Sequence, residues 1–202
     1  MLFNSFVFYL FLALVLPVFY WLPTRKYRNL FLLVSSYIFY GYWDWRFCLL
    51  IALSTLVDFT VAKLIDRSVE ERNRKILLFV SLATNLGILA VFKYFGFFVD
   101  NLNVLLGSFN LGPLDYLHAN ILLPVGISFY TFQTLSYTID VYRKEIRAVD
   151  SLLDFGLFVA FFPQLVAGPI ERAKSLLPQI SRKNNPTPVS YTHLTLPTTP
   201  YV

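Results

Sequence analysis

Asp58 is a carboxylate in the otherwise uncharged run 47–62, within Leu-Val-Asp-Phe-Thr. An ionisable group inside so apolar a segment is a functional-site candidate by default. The competing reading is a structural partner for Lys63, or one polar spot on a helix face. The two residues are five apart, which is not the ideal helical spacing for a pair, and the two readings stand level. Segment 121–143 reads ILLPVGISFYTFQTLSYTIDVYR. It collects Ser128, Thr131 and Gln133 among apolar neighbours, with Tyr130 and Tyr137 able to hydrogen-bond. At helical spacing Tyr130, Thr134 and Tyr137 share a face, as do Thr131, Thr134 and Thr138. Such a face can line a tunnel, or it can serve as hydrogen-bonding glue between helices. Spacing alone favours glue. Segment 158–179, FVAFFPQLVAGPIERAKSLLPQ, mixes aromatic bulk with Gln164, the breakers Pro163, Gly168 and Pro169, and then Glu171 and Arg172.

Several chemistries are excluded. The sequence has neither the GxxxxGK[ST] phosphate loop nor the HExxH zinc motif. One Cys and one Met leave no disulfide framework and no thiolate metal site. His118 and His193 both lie outside apolar segments where a His could act as general base. No catalytic dyad can be assembled from these residues.

The elements that must position the candidates are set by hydropathy. Of 202 residues 56% are apolar and 14% charged, with a mean hydropathy of +0.58. A soluble domain carries about 25% charged residues. Four runs, 3–22, 47–65, 76–94 and 121–139, match or approach the roughly 20 apolar residues that cross a bilayer. A fifth, 29–43, is short but rich in Tyr and Trp, which suit membrane interfaces. None alternates as barrel strands do. The fold class is therefore all-α: a polytopic transmembrane helical protein with about five crossings plus a re-entrant or broken segment. The first run lacks a basic leader and a small-x-small cleavage site, so it reads as a retained helix. Basic residues gather at 25–28, 63–75 and 143–147, whereas 95–120 holds no Lys or Arg. The charge rule then puts the N-terminus and loop 95–120 outside. A sixth crossing at 152–170 would strand Arg172, Lys174, Arg182 and Lys183 outside. Its breakers also need shelter at membrane depth. Residues 155–171 are thus expected to dip in and return, or to lie against the cytoplasmic face, with a short helix after Pro169. The net charge of +5 is an orientation signal, not a nucleic-acid one.

The blocks 123–143 and 158–179, with the opening 1–23 and SSYIFYGYWDWRF (35–47), resemble the membrane-bound O-acyltransferase family. The nearest branch is the bacterial one that acetylates alginate, related to the D-alanyl transferases of teichoic acids. The resemblance covers about residues 1–187, while the family is normally more than twice that long. It implies helices around a central funnel, through which an acyl group passes from a cytoplasmic donor to a hydroxyl acceptor on the far side. It implies no bound cofactor, and acetyl-CoA or an acyl carrier as substrate. It implies partners in the bilayer, an extracytoplasmic acetyl-transfer protein and a polysaccharide. It implies a bacterial inner-membrane location. The family's catalytic His falls later, and neither His118 nor His193 matches it. Within the family blocks Gln133 and Gln164 would be polar funnel wall, with Pro169 in the same block, and Glu171 and Arg172 its cytoplasmic mouth. Asp58 completes the candidate set. The other function class left open is a transporter whose broken segment lines the substrate site; a third reading is a scaffold without activity.

Residues 188–202 change character. The codons GTC TCT TAT ACA CAT CTG ACG CTG CCG ACG translate to residues 189–198, and that string resembles a transposase-type sequencing adapter read in frame. The chain is accordingly expected to divide into a native part, 1–187, and a non-native tail, 188–202.

Overall fold

The computed structural model describes residues 5–109, 126–167 and 171–181. His118, Pro169, His193 and the tail 188–202 lie outside the described residues. Among those described there are helices and no strands: α1 (Phe6–Trp21), α2 (Arg25–Gly41), α3 (Trp45–Arg67), α4 (Glu71–Ser108), α5 (Ile127–Tyr142), α6 (Leu152–Ala160), α7 (Phe162–Ala167) and α8 (Ala173–Ser181).

Local chemistry sets the helix starts. Ser5 accepts from the Phe8 N–H at 3.2 Å, Asp44 from the Arg46 N–H at 2.8 Å, and Ser151 from the Asp154 N–H at 3.2 Å. Each satisfies a donor that the first helical turn leaves open. Gly126 precedes α5 at φ 79°, a left-handed conformation that glycine takes without a Cβ penalty. The connections α1–α2, α2–α3 and α3–α4 are a few residues long, so these helices run as antiparallel neighbours.

Two helices, α3 with 23 residues and α4 with 38, are long and apolar enough to cross a membrane; α1 is apolar but shorter. At 1.5 Å per residue α4 reaches about 57 Å, well beyond a hydrocarbon core of about 30 Å. Here the structure corrects the expectation of an outer loop over 95–120: the helix continues to Ser108. Asp100, Asn101 and Asn103 are exposed or half-exposed on it and do not interrupt it, because isolated polar residues weaken a helix only slightly. Likewise the polar stretch 63–75 is mostly helical, with its turn confined to 68–70. Large apolar side chains such as Leu14, Phe79, Phe97 and Val104 face outward. So extensive an apolar exterior is that of a membrane protein.

The centre is α6, with every residue from Asp154 to Ala160 buried. It packs against α2, α3, α5 and α8. Tyr137 of α5 lies 4.6 Å from Phe155, ring centre to ring centre. At the α6–α7 junction Phe162 sits 5.4 Å from both Phe11 of α1 and Phe39 of α2. The expected broken segment is present: α6 ends before Phe161, and Pro163 stands in the first turn of α7, where its missing N–H costs little. The short helix expected after Pro169 is α8.

Candidate functional site

Asp58 is fully buried, at 0% exposure, and its partners come from α4 rather than from Lys63. The Ser81 hydroxyl donates to its Oδ1 at 2.7 Å. Asn85 Nδ2 donates to both carboxylate oxygens, at 2.8 and 3.0 Å. The Asn85 carbonyl in turn accepts from Ser54 at 3.0 Å and from Thr134 of α5 at 3.4 Å. The network joins α3 to α4 and reaches α5 through Thr134, whose single hydroxyl proton is shared with the Thr131 carbonyl at 3.1 Å. The Asp58 carboxylate accepts three hydrogen bonds, two at Oδ1 and one at Oδ2, which fix its position. Lys63 turns away, to the Asp150 carboxylate at 3.7 Å and its carbonyl at 3.1 Å. The sequence signal for Ser81 and Asn85 is their i, i+4 spacing in an otherwise apolar run, which puts both on one face of α4.

A second cluster lies at the start of α2. Asn29 Nδ2 donates to Asp154 Oδ1 at 2.7 Å and to the Ile180 carbonyl at 3.1 Å. Arg25 donates to the Ser181 carbonyl and pairs with Asp154 Oδ2 at 3.4 Å. The first turn of α6 and the last turn of α8 therefore meet at one level of α2. Between them the chain reaches deeper, where the Phe162 N–H donates to Ser36 Oγ at 3.3 Å. Ser36 is seven residues along α2 from Asn29, about 10 Å at 1.5 Å per residue. The α6–α7 junction thus lies about that much deeper along α2 than the start of α6 and the end of α8. Neither Arg25 and Asn29 nor Asp154 was singled out from sequence; nothing in the primary structure announces a contact across more than a hundred residues.

The same end of the bundle gathers the other basic loops. Arg28 donates to the Leu22 carbonyl at 2.7 Å, Lys63 reaches Asp150, and Arg74 donates to the Tyr142 carbonyl. Arg172 and Lys174 lie within electrostatic reach of Asp140 near the end of α5. Arg46 and Lys93 alone among the described basic residues lie elsewhere.

Gln133 is 1% exposed, and its Nε2 donates to the Phe158 carbonyl at 2.8 Å, joining α5 to α6. Its Oε1, with Tyr40 Oη, Tyr130 Oη and Ser136 Oγ, is buried with no hydrogen-bond partner among the described residues. Gln164 is buried on α7, whereas Glu171 and Arg172 are exposed before α8. The expected set is therefore divided: Asp58 between α3 and α4, Gln133 against α6, and Glu171 and Arg172 on the surface. The polar face of α5 is buried as its spacing implied. Thr138 returns its hydroxyl to the Thr134 carbonyl at 3.1 Å, and Tyr137 Oη accepts from the Val149 N–H at 3.0 Å. The first bond stays within α5 and the second ties α5 to the segment before α6. Among the described residues no group of three His, Cys, Asp or Glu side chains could hold a metal ion.

Sequence comparison shows what the chain is similar to. A probable alginate O-acetylase of Pseudomonas aeruginosa is 43% identical over 189 residues, covering 92% of this chain and 35% of that protein. The chain is homologous to the alginate O-acetylases. A probable alginate O-acetylase of Azotobacter vinelandii is 42% identical over 187 residues, covering 92% of this chain and 37% of its own length. A peptidoglycan O-acetyltransferase of Helicobacter pylori is 30% identical over 181 residues, covering 78% of this chain and 33% of that protein. The membrane-bound O-acyltransferase resemblance carried by blocks 123–143 and 158–179 is thus borne out. The chain spans about a third of the length of the curated relatives it matches. No family model and no solved structure matches it.

Proposed function

We propose that the chain is part of a membrane O-acyltransferase that moves an acetyl group from a cytoplasmic donor to hydroxyls of an exported polysaccharide or cell-wall polymer. The observation that carries this reading is the 43% identity to an alginate O-acetylase over nearly the whole chain. The peptidoglycan O-acetyltransferase shares the acceptor chemistry, a sugar hydroxyl on a polymer, and keeps the polymer class broad. The donor is an acetyl thioester, acetyl-CoA or an acyl carrier, treated as substrate. Relatives that are O-acetylases favour this enzyme over the carrier alternative.

In this reading the chain supplies scaffold and funnel wall. The end of the bundle that collects Arg25, Arg28, Lys63, Arg74 and Arg147 faces the cytoplasm of a bacterial inner membrane, and the N-terminus lies outside. The α6–α8 segment is re-entrant. A nine-residue α6 extends only about 14 Å, half of what a crossing needs. Its return to the level of Arg25 keeps Arg172 and Lys174 on the basic side. Tyr40, Tyr130 and Gln133 supply polar atoms at depth beside it, and Gln164 adds a buried amide on α7. Glu171 and Arg172 stand at the cytoplasmic mouth. Asp58 is assigned to scaffold, because both of its oxygens accept hydrogen bonds from α4.

The test is a chimera. The Pseudomonas aeruginosa alginate O-acetylase, with its matching segment replaced by residues 5–181 of this chain, is expected to restore acetylation of alginate in a deletion strain. A chimera present in the membrane at normal level but without acetyl transfer overturns the reading. Cysteine labelling at position 174 reads the topology separately: labelling only from the outer side overturns re-entry.

A further inference from the structure

We propose that the cleft between the α3–α4 turn and the loop after α5 is a binding site for a phosphate group, supplied by the headgroup of an anionic membrane phospholipid. The cleft is a half-open cavity of about 380 Å³, at the lower end of the range of ligand pockets, roughly 300–1,000 Å³. Arg67, Arg74, Lys144 and Arg147 line it, against the single carboxylate Asp66. Asp150 faces Lys63, Glu70 accepts from Asn73 at 2.8 Å, and Glu71 accepts from Lys75 at 3.1 Å while also lying within electrostatic reach of Arg74 and Lys144; Glu145 is exposed beside Lys144. Arg67, Lys144 and Arg147 are exposed and make no ion pair among the described residues.

Two further features point to a ligand. Arg74 is 7% exposed, lies 5.5 Å from the centre of the Tyr142 ring and donates to the Tyr142 carbonyl, so its charge is held in place. Yet its buried Nε has no hydrogen-bond partner among the described residues. That Nε is closed to solvent, so an anion in the cleft would answer the guanidinium's charge, whose burial is costly without a compensating negative group. Lys144 stands at φ 62° in the position where a helix end ordinarily takes glycine. Its N–H donates to the Val141 carbonyl at 3.0 Å, and the next N–H, of Glu145, donates to the Asp140 carbonyl at 2.9 Å, which closes α5. A lysine there bears a steric cost that glycine avoids. What it gains is a cation at the lip of the cavity.

The source assigned is lipid because, in the membrane reading on which this inference rests, the ends of α3 and α4 emerge at a headgroup layer. Basic pockets between helix ends are suited to such headgroups. The test is native mass spectrometry of the full chain in detergent, titrated with phosphatidylglycerol or phosphatidylcholine, with and without inorganic phosphate. A phosphatidylglycerol adduct is expected to survive preferentially. The triple variant Arg67→Gln, Lys144→Gln, Arg147→Gln is expected to weaken it about a hundredfold, at roughly fivefold per basic residue. A control with the same charge loss outside the cavity, Lys26→Gln, Arg72→Gln, Arg143→Gln, is expected to retain it. Asp66→Asn, which removes the opposing carboxylate, is expected to tighten it and covers the case of a misfolded triple variant. Displacement by inorganic phosphate at equal concentration keeps the phosphate site and reassigns its source to a soluble ligand. Equal adducts in the cavity and control variants, or no preference over phosphatidylcholine, overturn the proposal. Cysteine labelling at position 70 reports on the membrane reading independently.

Discussion

The Asp58 and Asp154 clusters each centre on a buried aspartate, but they solve that burial differently. Asp58 sits at the middle of α3 and is answered by neutral donors alone, from Ser81 and Asn85 of the neighbouring helix. Asp154 sits at the end of α6 and is answered by a cation, Arg25, as well as by Asn29. The contrast follows depth. At mid-helix a cation would need its own desolvation, whereas a hydroxyl and an amide cost less to bury. At the helix ends Arg25 is 36% exposed at its side chain, so it keeps part of its hydration while pairing. The first cluster joins helices that run the length of the bundle. The second pins the two ends of a segment too short to do so.

The largest expected effect is at the deeper cluster. Asp58→Leu removes both acceptor oxygens; it leaves the buried Ser81 hydroxyl without its acceptor and Asn85 Nδ2 with only the Ser81 carbonyl, at 3.0 Å. The expected loss is about 2–4 kcal/mol, from the usual penalty for orphaned buried donors. Unfolding in mixed detergent micelles measures it. Asp58→Asn keeps one acceptor and should lose less. A leucine variant as stable as the parent would show that the network carries little, and would reopen a functional role for Asp58.

Asp154→Ala comes next. It leaves Arg25 and Asn29 without a carboxylate, but Arg25 can reach water, so about 1–2 kcal/mol is expected. The loss should be local: faster proteolysis or hydrogen exchange in α6 and α8, with α3 and α4 unchanged. Uniform destabilisation of all helices would break the distinction between bundle and pinned segment. Smaller again is Gln133→Leu. It forfeits one interhelical bond to the Phe158 carbonyl, and such bonds average about 0.6 kcal/mol in a membrane protein. If acetyl transfer in the chimera falls tenfold while stability barely moves, Gln133 belongs to the funnel wall and not to the glue.

Much of this was legible beforehand, for physical reasons. Apolar runs and the placement of basic residues located the helices and the break near Pro163, because hydropathy and missing backbone donors act locally. Asp58 was legible as an anomaly, but its partners were not. The i, i+4 spacing of Ser81 and Asn85 was present, yet which helix they face depends on packing. The Asp154 cluster was invisible, since it joins residues 29, 154 and 180 across three helices. Helix α4 runs into the expected loop as far as Ser108 because Asp100 and Asn103 can sit on a helix face as readily as in a loop.

The smallest expected effect lies on the surface, at Glu71 and Lys75, and it sets the floor against which the two clusters are measured. Lys75 donates to Glu71 at 3.1 Å across one helical turn, and this hydrogen bond holds the Glu71 carboxyl below its usual range. A folded-state value lower than the unfolded one means that the pair contributes above the ordinary carboxylate range. The contribution is lost as pH falls through the folded value. Both side chains are largely exposed, at 73% and 64%, so solvent and salt screen the pair. Glu71→Gln is therefore expected to leave stability unchanged within error at neutral pH and to flatten only the acid limb of the profile. A Glu71→Gln loss comparable to that of Asp154→Ala would mean that burial is not what separates strong pairs from weak ones in this molecule, and the contrast between its two buried aspartates would need another cause.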